Sequence, residues 1–470
     1  MPETRVHLER YHQLMDIFGE TKVSGEEVDR LACARDQDPR GLLAFRAGEP
    51  PALPEFVVWP ETIDEIIQLL RLANERRFPV VPLGGGCGNA GGARPVPGAV
   101  VLDMKRMNRV LNVSDANLLA TVEVGIVGQT LEGALAERGY TLGHFPGSAR
   151  CSTLGGFLAS RSVGQLSTKY GRISDLVVSL VAVLPDGAVF RTRTAPRSAT
   201  GPNLNQVLLG TQGTLGVLVQ ATLRVRKAPA AAHFRAFTFA DVPAGLAAMR
   251  RVLQTGARPA VLRLHDPEET ARIVARPHLD GAPEGSLLLV STEGSHLAAD
   301  LEIEIVTRFC EEAGGRDLGE DPARLWRDRR YADWFQQSAV LAEPGTVFDT
   351  IEVAARWSRV LALYRGVRAA LAPRVACPAR FTHATPEGCS VLFTVTGQAR
   401  PGKEVALLDG VWNDAATACR AAEGAIASYR GLGAPDAWLD DDLREGRRVY
   451  RALKARLDPH DILNPGKLGL

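Results

Sequence analysis

Residues 82–92 read Pro-Leu-Gly-Gly-Gly-Cys-Gly-Asn-Ala-Gly-Gly, and six of the eleven are glycine. They follow the apolar run Phe78-Pro-Val-Val. A strand that feeds so many glycines enters a turn in which the backbone can approach a ligand closely. Several successive N–H groups can then point at one anion. The stretch predicts a phosphate cradle, and a surface loop is the alternative. Two further glycine segments weigh against that alternative. Phe145-Pro-Gly-Ser-Ala-Arg-Cys-Ser-Thr-Leu-Gly-Gly-Phe157 brings small hydroxyls and a glycine pair, suited to phosphate oxygens and to a flat ring. Gly210-Thr-Gln-Gly-Thr-Leu-Gly-Val217 spaces its glycines by three ahead of a strand. Three such segments in one unit point to a nucleotide-type cofactor.

The cradle differs from the two commonest ones. A Rossmann G-x-G-x-x-G opens a helix directly and has an acidic partner ~20 residues on. Here the glycines run on into another glycine pair and a proline loop. A P-loop needs Gly-Lys-Ser/Thr after its glycines, and none occurs.

The chain has 470 residues, 45% hydrophobic and 23% charged, with 55 basic and 54 acidic side chains. That length accommodates two or three domains. The balanced charge gives no footprint for nucleic acid or an anionic membrane surface. No apolar run reaches the ~18–20 residues of a membrane span. The first residues lack the apolar core of a secretory signal, and the last four do not match the peroxisomal tripeptide. Seven cysteines without a Cys-x-x-Cys spacing suit a reduced, cytoplasmic chain.

The reading of the chain is α+β. Residues 1–51 form an N-terminal arm, 52–229 a cofactor domain, 230–425 a cap and 426–470 a segment that returns to the cofactor domain. Phe56-Val-Val-Trp59 and residues 78–82, 99–102, 119–124 and 176–184 are expected strands, with residues 215–219 and 221–225 as two more. Thr62 with Glu65 three residues later marks a helix start. Past residue 233, strands at 234–239, 287–290 and 391–395 alternate with helices at 244–254 and 298–313.

Together with Pro54-Glu-Phe-Val-Val-Trp-Pro60, Tyr170-Gly-Arg-Ile-Ser-Asp-Leu-Val177 and Ser198-Ala-Thr-Gly-Pro202, the glycine segments resemble the FAD-binding domain of the vanillyl-alcohol oxidase/p-cresol methylhydroxylase superfamily. The resemblance is close over residues 52–228 and looser over the C-terminal Asp-Pro-His-Asp-Ile-Leu-Asn-Pro-Gly-Lys. It implies a PCMH-type FAD-binding domain of two α+β subdomains and a cap whose antiparallel sheet is flanked by helices. It implies that Pro82, Leu83, Gly84, Gly85, Gly86, Cys87 and Gly88 hold the pyrophosphate of FAD. Gly147, Ser148, Ala149, Arg150, Cys151, Ser152 and Thr153, with Gly156, line the ribityl and ring side. Ser160, Arg161, Ser162 and Val163 support that loop. Gln212, Gly213, Thr214, Leu215, Gly216, Val217 and Leu218 meet the adenosine half and ring edge. Relatives with covalent flavin often carry a histidine in the first loop; Cys87 stands there instead, so non-covalent FAD is expected, with a Cys87 bond as the lesser option.

The alkyldihydroxyacetonephosphate synthase branch of the superfamily matches best, but its cap residues are missing. Its tyrosine would fall in Cys389-Ser-Val-Leu-Phe393, its arginine near Trp334-Phe-Gln-Gln337 and its histidine run at Ser428-Tyr-Arg430. The remaining reading is an FAD-dependent oxidoreductase that passes a hydride from a small alcohol, hydroxy acid or related metabolite to flavin N5. A synthase-like transferase and a flavin-binding protein without turnover stay open. Candidate catalytic residues are His383, Tyr429, Arg263 and Arg430, with His265 as a further base. No metal site is expected. Homodimers are usual in the superfamily.

Overall fold

Strand Val80–Leu83 leads directly into the first glycine turn, so the sheet around it sets where that turn lies. It pairs in parallel with Val100–Asp103, which pairs in parallel with Phe56–Val58, and Val23–Ser24 adds an antiparallel edge. Val57, Val58, Val80, Val81, Val100 and Val101 have no exposed surface. Such unbroken apolar strands are what a parallel sheet covered on both faces requires. Helix Ile63–Arg76 packs on it through Ile66, Leu69, Leu70 and Ala73. Thr62 accepts the Glu65 amide, while Glu65 accepts the amides of Glu61 and Thr62 at 2.7 and 2.9 Å. This is the capping box that the Thr62–Glu65 spacing predicts. The computed structural model describes residues 2–49, 51–195, 198–274, 284–332, 336–426 and 441–470.

A second sheet is antiparallel, in the order Val110–Ser114, Leu119–Glu123, Val217–Arg224, Val177–Val183 and Val189–Arg191. The two strands expected at 215–225 are one strand. Its register against Val177–Val183 slips between Leu218 and Gln220, and pairing resumes beyond the slip. A β-bulge at Val219 absorbs the extra residue, so the strand continues through it. Both sheets share one core with the N-terminal helix Pro2–Phe18, which buries Leu14 and Phe18 there. The N-terminal stretch is thus packed into this layer.

The third sheet has eight antiparallel strands, in the order Arg316–Asp317, Ala231–Phe239, Ser286–Gly294, Val261–His265, Ala379–Thr382, Gly388–Gln398, Thr346–Arg356 and Ala425–Ile426. Helices Val242–Gln254, His296–Glu312, Trp357–Leu371 and Glu404–Ala421 cover one face of it. Leu264, Phe381, Val391, Phe393, Ile351 and Val353 point into that covered core. Because strand side chains alternate, their neighbours turn to the other face, towards the glycine turns.

The C-terminal tail closes the first unit. Ile462 and Leu463 are buried in its core, and Val80 bridges Leu463 in parallel. Lys454, in helix Asp441–Leu457, donates to the carbonyls of Thr214 and Leu463 at 3.1 and 2.7 Å and to Asp458 at 2.5 Å. Asp458 is fully buried and accepts the amides of Ile462 and Leu463 at 3.0 and 2.8 Å. Replacing Asp458 with Asn removes the buried counter-charge of the Lys454 ammonium and leaves it only the more exposed Asp461 at 3.0 Å. Breaking such a pair costs ~3–5 kcal/mol, so thermal unfolding of Asp458→Asn should begin well below that of the parent protein. An unchanged melting curve would refute this role.

Candidate active site

The glycine turns meet. A Cβ on Gly84 would lie 2.2 Å from the Thr153 hydroxyl, and one on Gly85 would lie 2.0 Å from the Cys151 carbonyl oxygen. Gly92 faces Gln212 in the same way, at 2.0 Å from Oε1, and Gly213, at φ +77°, faces Pro82 at 3.0 Å. Asn464 of the C-terminal tail ties the first turn to the third, donating to the carbonyls of Gly92 and Gln212 at 2.8 and 2.6 Å. Thr153 caps helix Leu154–Ser160 by accepting the Gly156 amide at 3.2 Å, which fixes the second turn. At Gly85 the neighbour is backbone, so that approach leaves room for glycine alone.

Around the meeting point lies a cavity of about 850 Å³, towards the upper end of the range for ligand sites. Its wall includes Pro82 and every position of 83–88, then Gly147, Ser148, Ser152, Thr153, Gly156, Ser160, Arg161, Ser162 and Val163, and finally Gln212, Gly213, Gly216, Val217 and Leu218. Ala149, Thr214 and Leu215 sit in the same turns but are buried behind the wall. Arg150 instead lies over the Tyr331 ring at 5.0 Å, and Cys151 backs onto Gly85. Among the described residues, the amides of Gly85, Gly86, Cys87 and Gly88 donate to no loop or turn carbonyl. A cradle with glycine-only contacts and unspent amides fits a diphosphate group.

The opposite wall comes from the uncovered face of the eight-stranded sheet. Arg263 and His265 stand on one strand, Arg380 and Thr382 on the next, then Leu392 and Thr394, then Phe348, Thr350 and Glu352. Register places His265 opposite Arg380, Arg380 opposite Leu392, and Leu392 opposite Glu352, in one row across four strands. His383 follows strand Ala379–Thr382 in a left-handed conformation, φ 50°, which is costly for a non-glycine residue. It turns its Nδ1 to Glu352 Oε1 at 3.3 Å. Burial drives the Glu352 carboxyl up, but the hydrogen bond and charge of His383, helped by the Ser390 hydroxyl, hold it below the ordinary glutamate range.

Arginines crowd this wall. Arg380 donates to Thr394 Oγ1 at 3.0 Å and Glu269 Oε1 at 3.4 Å. Arg263 lies over the Trp326 ring at 5.3 Å, and Arg330 over Phe145 at 5.2 Å. In all, seven arginines and three carboxylates line the cavity among the described residues, so its field favours anions. Helix Pro267–Val274, which brings Glu269 and Arg272 to the wall, starts at Asp266, whose side chain accepts the Glu269 amide at 2.8 Å. Asp266 itself is anchored by Tyr364 and Arg368 at 2.9 and 2.7 Å.

Of the predicted catalytic residues, the structure brings His383 and Arg263 to the cavity, with His265 beside them. Tyr429 and Arg430 lie outside the described residues, as do Trp334 and Phe335 of the segment 334–337. Four residues escaped the sequence reading. Asp36, from the N-terminal segment, is 3% exposed in the cavity wall, and burial pushes its carboxyl up to about 6. His144 is 4% exposed, with Nε2 2.7 Å from the Ser162 hydroxyl. Burial, reinforced by the charge of His383, pushes its imidazole down to about 3, so it is neutral. Its place one residue before the second glycine segment was a signal that could have found it. Glu352 and Arg380 carried no local signal. Among the described residues no three His, Cys, Asp or Glu side chains cluster as metal ligands.

A glycine-lined dinucleotide cradle facing a polar, arginine-rich cap sheet defines a two-part flavin redox protein. Residues 54–193 match the FAD binding domain family, and residues 228–468, more than half of the chain, match the C-terminal domain of FAD linked oxidases. The chain belongs to the FAD-linked oxidases: it is an FAD-dependent enzyme with a PCMH-type fold. It is 27% identical to alkyldihydroxyacetonephosphate synthase of Dictyostelium discoideum, over 97% of this chain and 80% of that one. Identity is 26% with glycolate oxidase subunit GlcD of Bacillus subtilis (strain 168), over 97% and 96%. A solved structure of alkyldihydroxyacetonephosphate synthase superposes with a TM-score of 0.82 at 25% identity, over 99% of this chain and 84% of that one.

Proposed function

We propose that this enzyme oxidises a small alcohol or hydroxy acid that carries an anionic group, with FAD held non-covalently in the glycine cradle. The observation that carries the reading is the paired His383 and Glu352 on a cavity wall rich in arginine. FAD, when bound, supplies the two-electron acceptor for the substrate hydride. The chain supplies the proton acceptor and the orientation. His383 takes the proton of the substrate hydroxyl, the general-base role suited to imidazole near neutral pH. Glu352, kept ionised, fixes the ring orientation and stabilises the imidazolium that forms. Arg263 and Arg380 hold the substrate anion by charge-assisted hydrogen bonds. Seven unbridged cysteines suit a reducing, cytoplasmic setting.

A transferase reading, like the activity named for the synthase relatives, stands second, because a ketone phosphate is also an anion. Against it, the strand expected to offer a tyrosine presents Leu392 to the cavity and buries Phe393 in the core. Anaerobic mixing with a panel of hydroxy acids and neutral alcohols separates the two. Bleaching of the yellow absorbance by hydroxy acids, with weaker response to the neutral alcohols, is expected. Incorporation of a fatty alcohol into a ketone phosphate with no bleaching by any hydroxy compound would overturn the oxidase reading.

A further inference from the structure

Seven cysteines are present and none is bridged. Cys33, Cys310, Cys377, Cys389 and Cys419 are buried, and burial pushes each of their thiols up. Cys87 and Cys151 differ: both are half-exposed, and they come from the two glycine turns that touch. The backbone at Gly85 lies so close to Cys151 that a Cβ there would be 2.0 Å from the Cys151 carbonyl oxygen and 3.1 Å from the Ser152 Cα. The Cys87 thiol folds back onto this contact and donates to the Gly85 carbonyl at 3.1 Å. The Cys151 thiol donates to the Ser148 carbonyl at 3.4 Å. Each thiol feels the other electrostatically, with Ser152 acting on both. In this shared arrangement the Cys151 thiol is pushed down by the neighbouring Cys87, while Cys87 is pushed up by Cys151 and by burial. Cys87 also lines the cavity, and Cys151 keeps part of its surface exposed to solvent beside it.

We propose that Cys87 and Cys151 form a redox-responsive thiol pair, which a hydroperoxide converts to a disulfide that ties the first glycine turn to the second. The Cys151 thiolate attacks a peroxide oxygen: an S–O bond forms, the O–O bond breaks, and the leaving oxygen departs as water or an alcohol after taking up a proton. The Cys87 sulfur then attacks the sulfenic acid: the S–S bond forms, the S–O bond breaks, and the Cys87 proton leaves with a second water. The two sulfurs lose two electrons and the hydroperoxide gains them. Nucleophilic attack belongs to the sulfur that is more easily ionised. The turns already touch where Gly85 meets the Cys151 backbone, two residues from Cys87. The pair rests on this contact alone, whatever cofactor the cradle holds.

Full-length protein treated with hydrogen peroxide, then digested without reductant, tests this by mass spectrometry. The expected product is a peptide pair joined through Cys87 and Cys151 that separates on adding a thiol. The count of dye-reactive thiols in unfolded protein should fall from seven to five. In Cys87→Ser the joined peptides should vanish, and dimedone should trap a sulfenic acid on Cys151. Both thiols surviving the oxidant, either one joined to a different cysteine, sulfinic acid without a joined peptide, or a flavin adduct on either sulfur in untreated protein would each overturn the proposal. Flavin absorbance, read separately on the same sample, reports on the FAD cradle independently.

Discussion

Gly85→Ala should yield a protein without bound flavin. The added methyl group would sit 2.0 Å from the Cys151 carbonyl oxygen and 2.9 Å from its carbon. Both are backbone atoms, which no rotamer change can move aside. The first and second turns must then separate, and the amides that face the cavity lose their shared focus. A misplacement of this kind removes an anion site built from convergent N–H groups, because each contributes only when aimed. We expect the affinity for FAD, measured by quenching of its fluorescence, to fall by at least ~100-fold, the equivalent of two lost charge-assisted hydrogen bonds. Gly133→Ala is the control, since its Cβ meets nothing within 4 Å and its helix keeps ordinary backbone angles. Normal flavin content in Gly85→Ala would mean that the cofactor does not lie against these turns.

His383→Asn should keep its flavin and lose most of its turnover. His383 stands on the cap side of the cavity, and its partner Glu352 is on the strand beyond Gly388–Gln398. Loss of a positioned general base lowers the rate of flavin reduction by ~10²–10⁴. Glu352→Gln should leave the base in place but unsupported, giving a smaller fall and a changed pH profile. The sign of that change follows from the depressed Glu352 carboxyl. Its stabilising contact with His383 is fully present above the ordinary glutamate range and is lost as pH falls through the lower folded value. The parent enzyme should therefore lose stability on the acid side, and Glu352→Gln should lose that acid-side dependence. Undiminished bleaching of the flavin by substrate in His383→Asn would remove this residue from the reaction.

The cofactor side of the site was legible in the chain because its information is local. Glycine at 84, 85 and 213 answers a backbone demand that any reader of the sequence can see, and the family resemblance rests on those same turns. The Thr62–Glu65 box and the apolar strands at 80–83 and 100–103 are equally short-range signals. The cap was harder. Strand Thr346–Arg356 was missed because its pattern is inverted: Asp349 points into the core, where it accepts the Trp412 indole N–H at 2.9 Å, while Phe348 lines the cavity. A buried carboxylate with a partner 63 positions away erases the usual alternation of apolar and polar residues. The row of His265, Arg380, Leu392 and Glu352 exists only through strand register, as does the pairing of His383 with Glu352. By itself the sequence marked three glycine turns as parts of one nucleotide-type cradle, since glycine placement is a property of the local backbone. Only the tertiary structure decided which cap side chains line the cavity, because antiparallel pairing joins residues whose spacing along the chain carries no record of it.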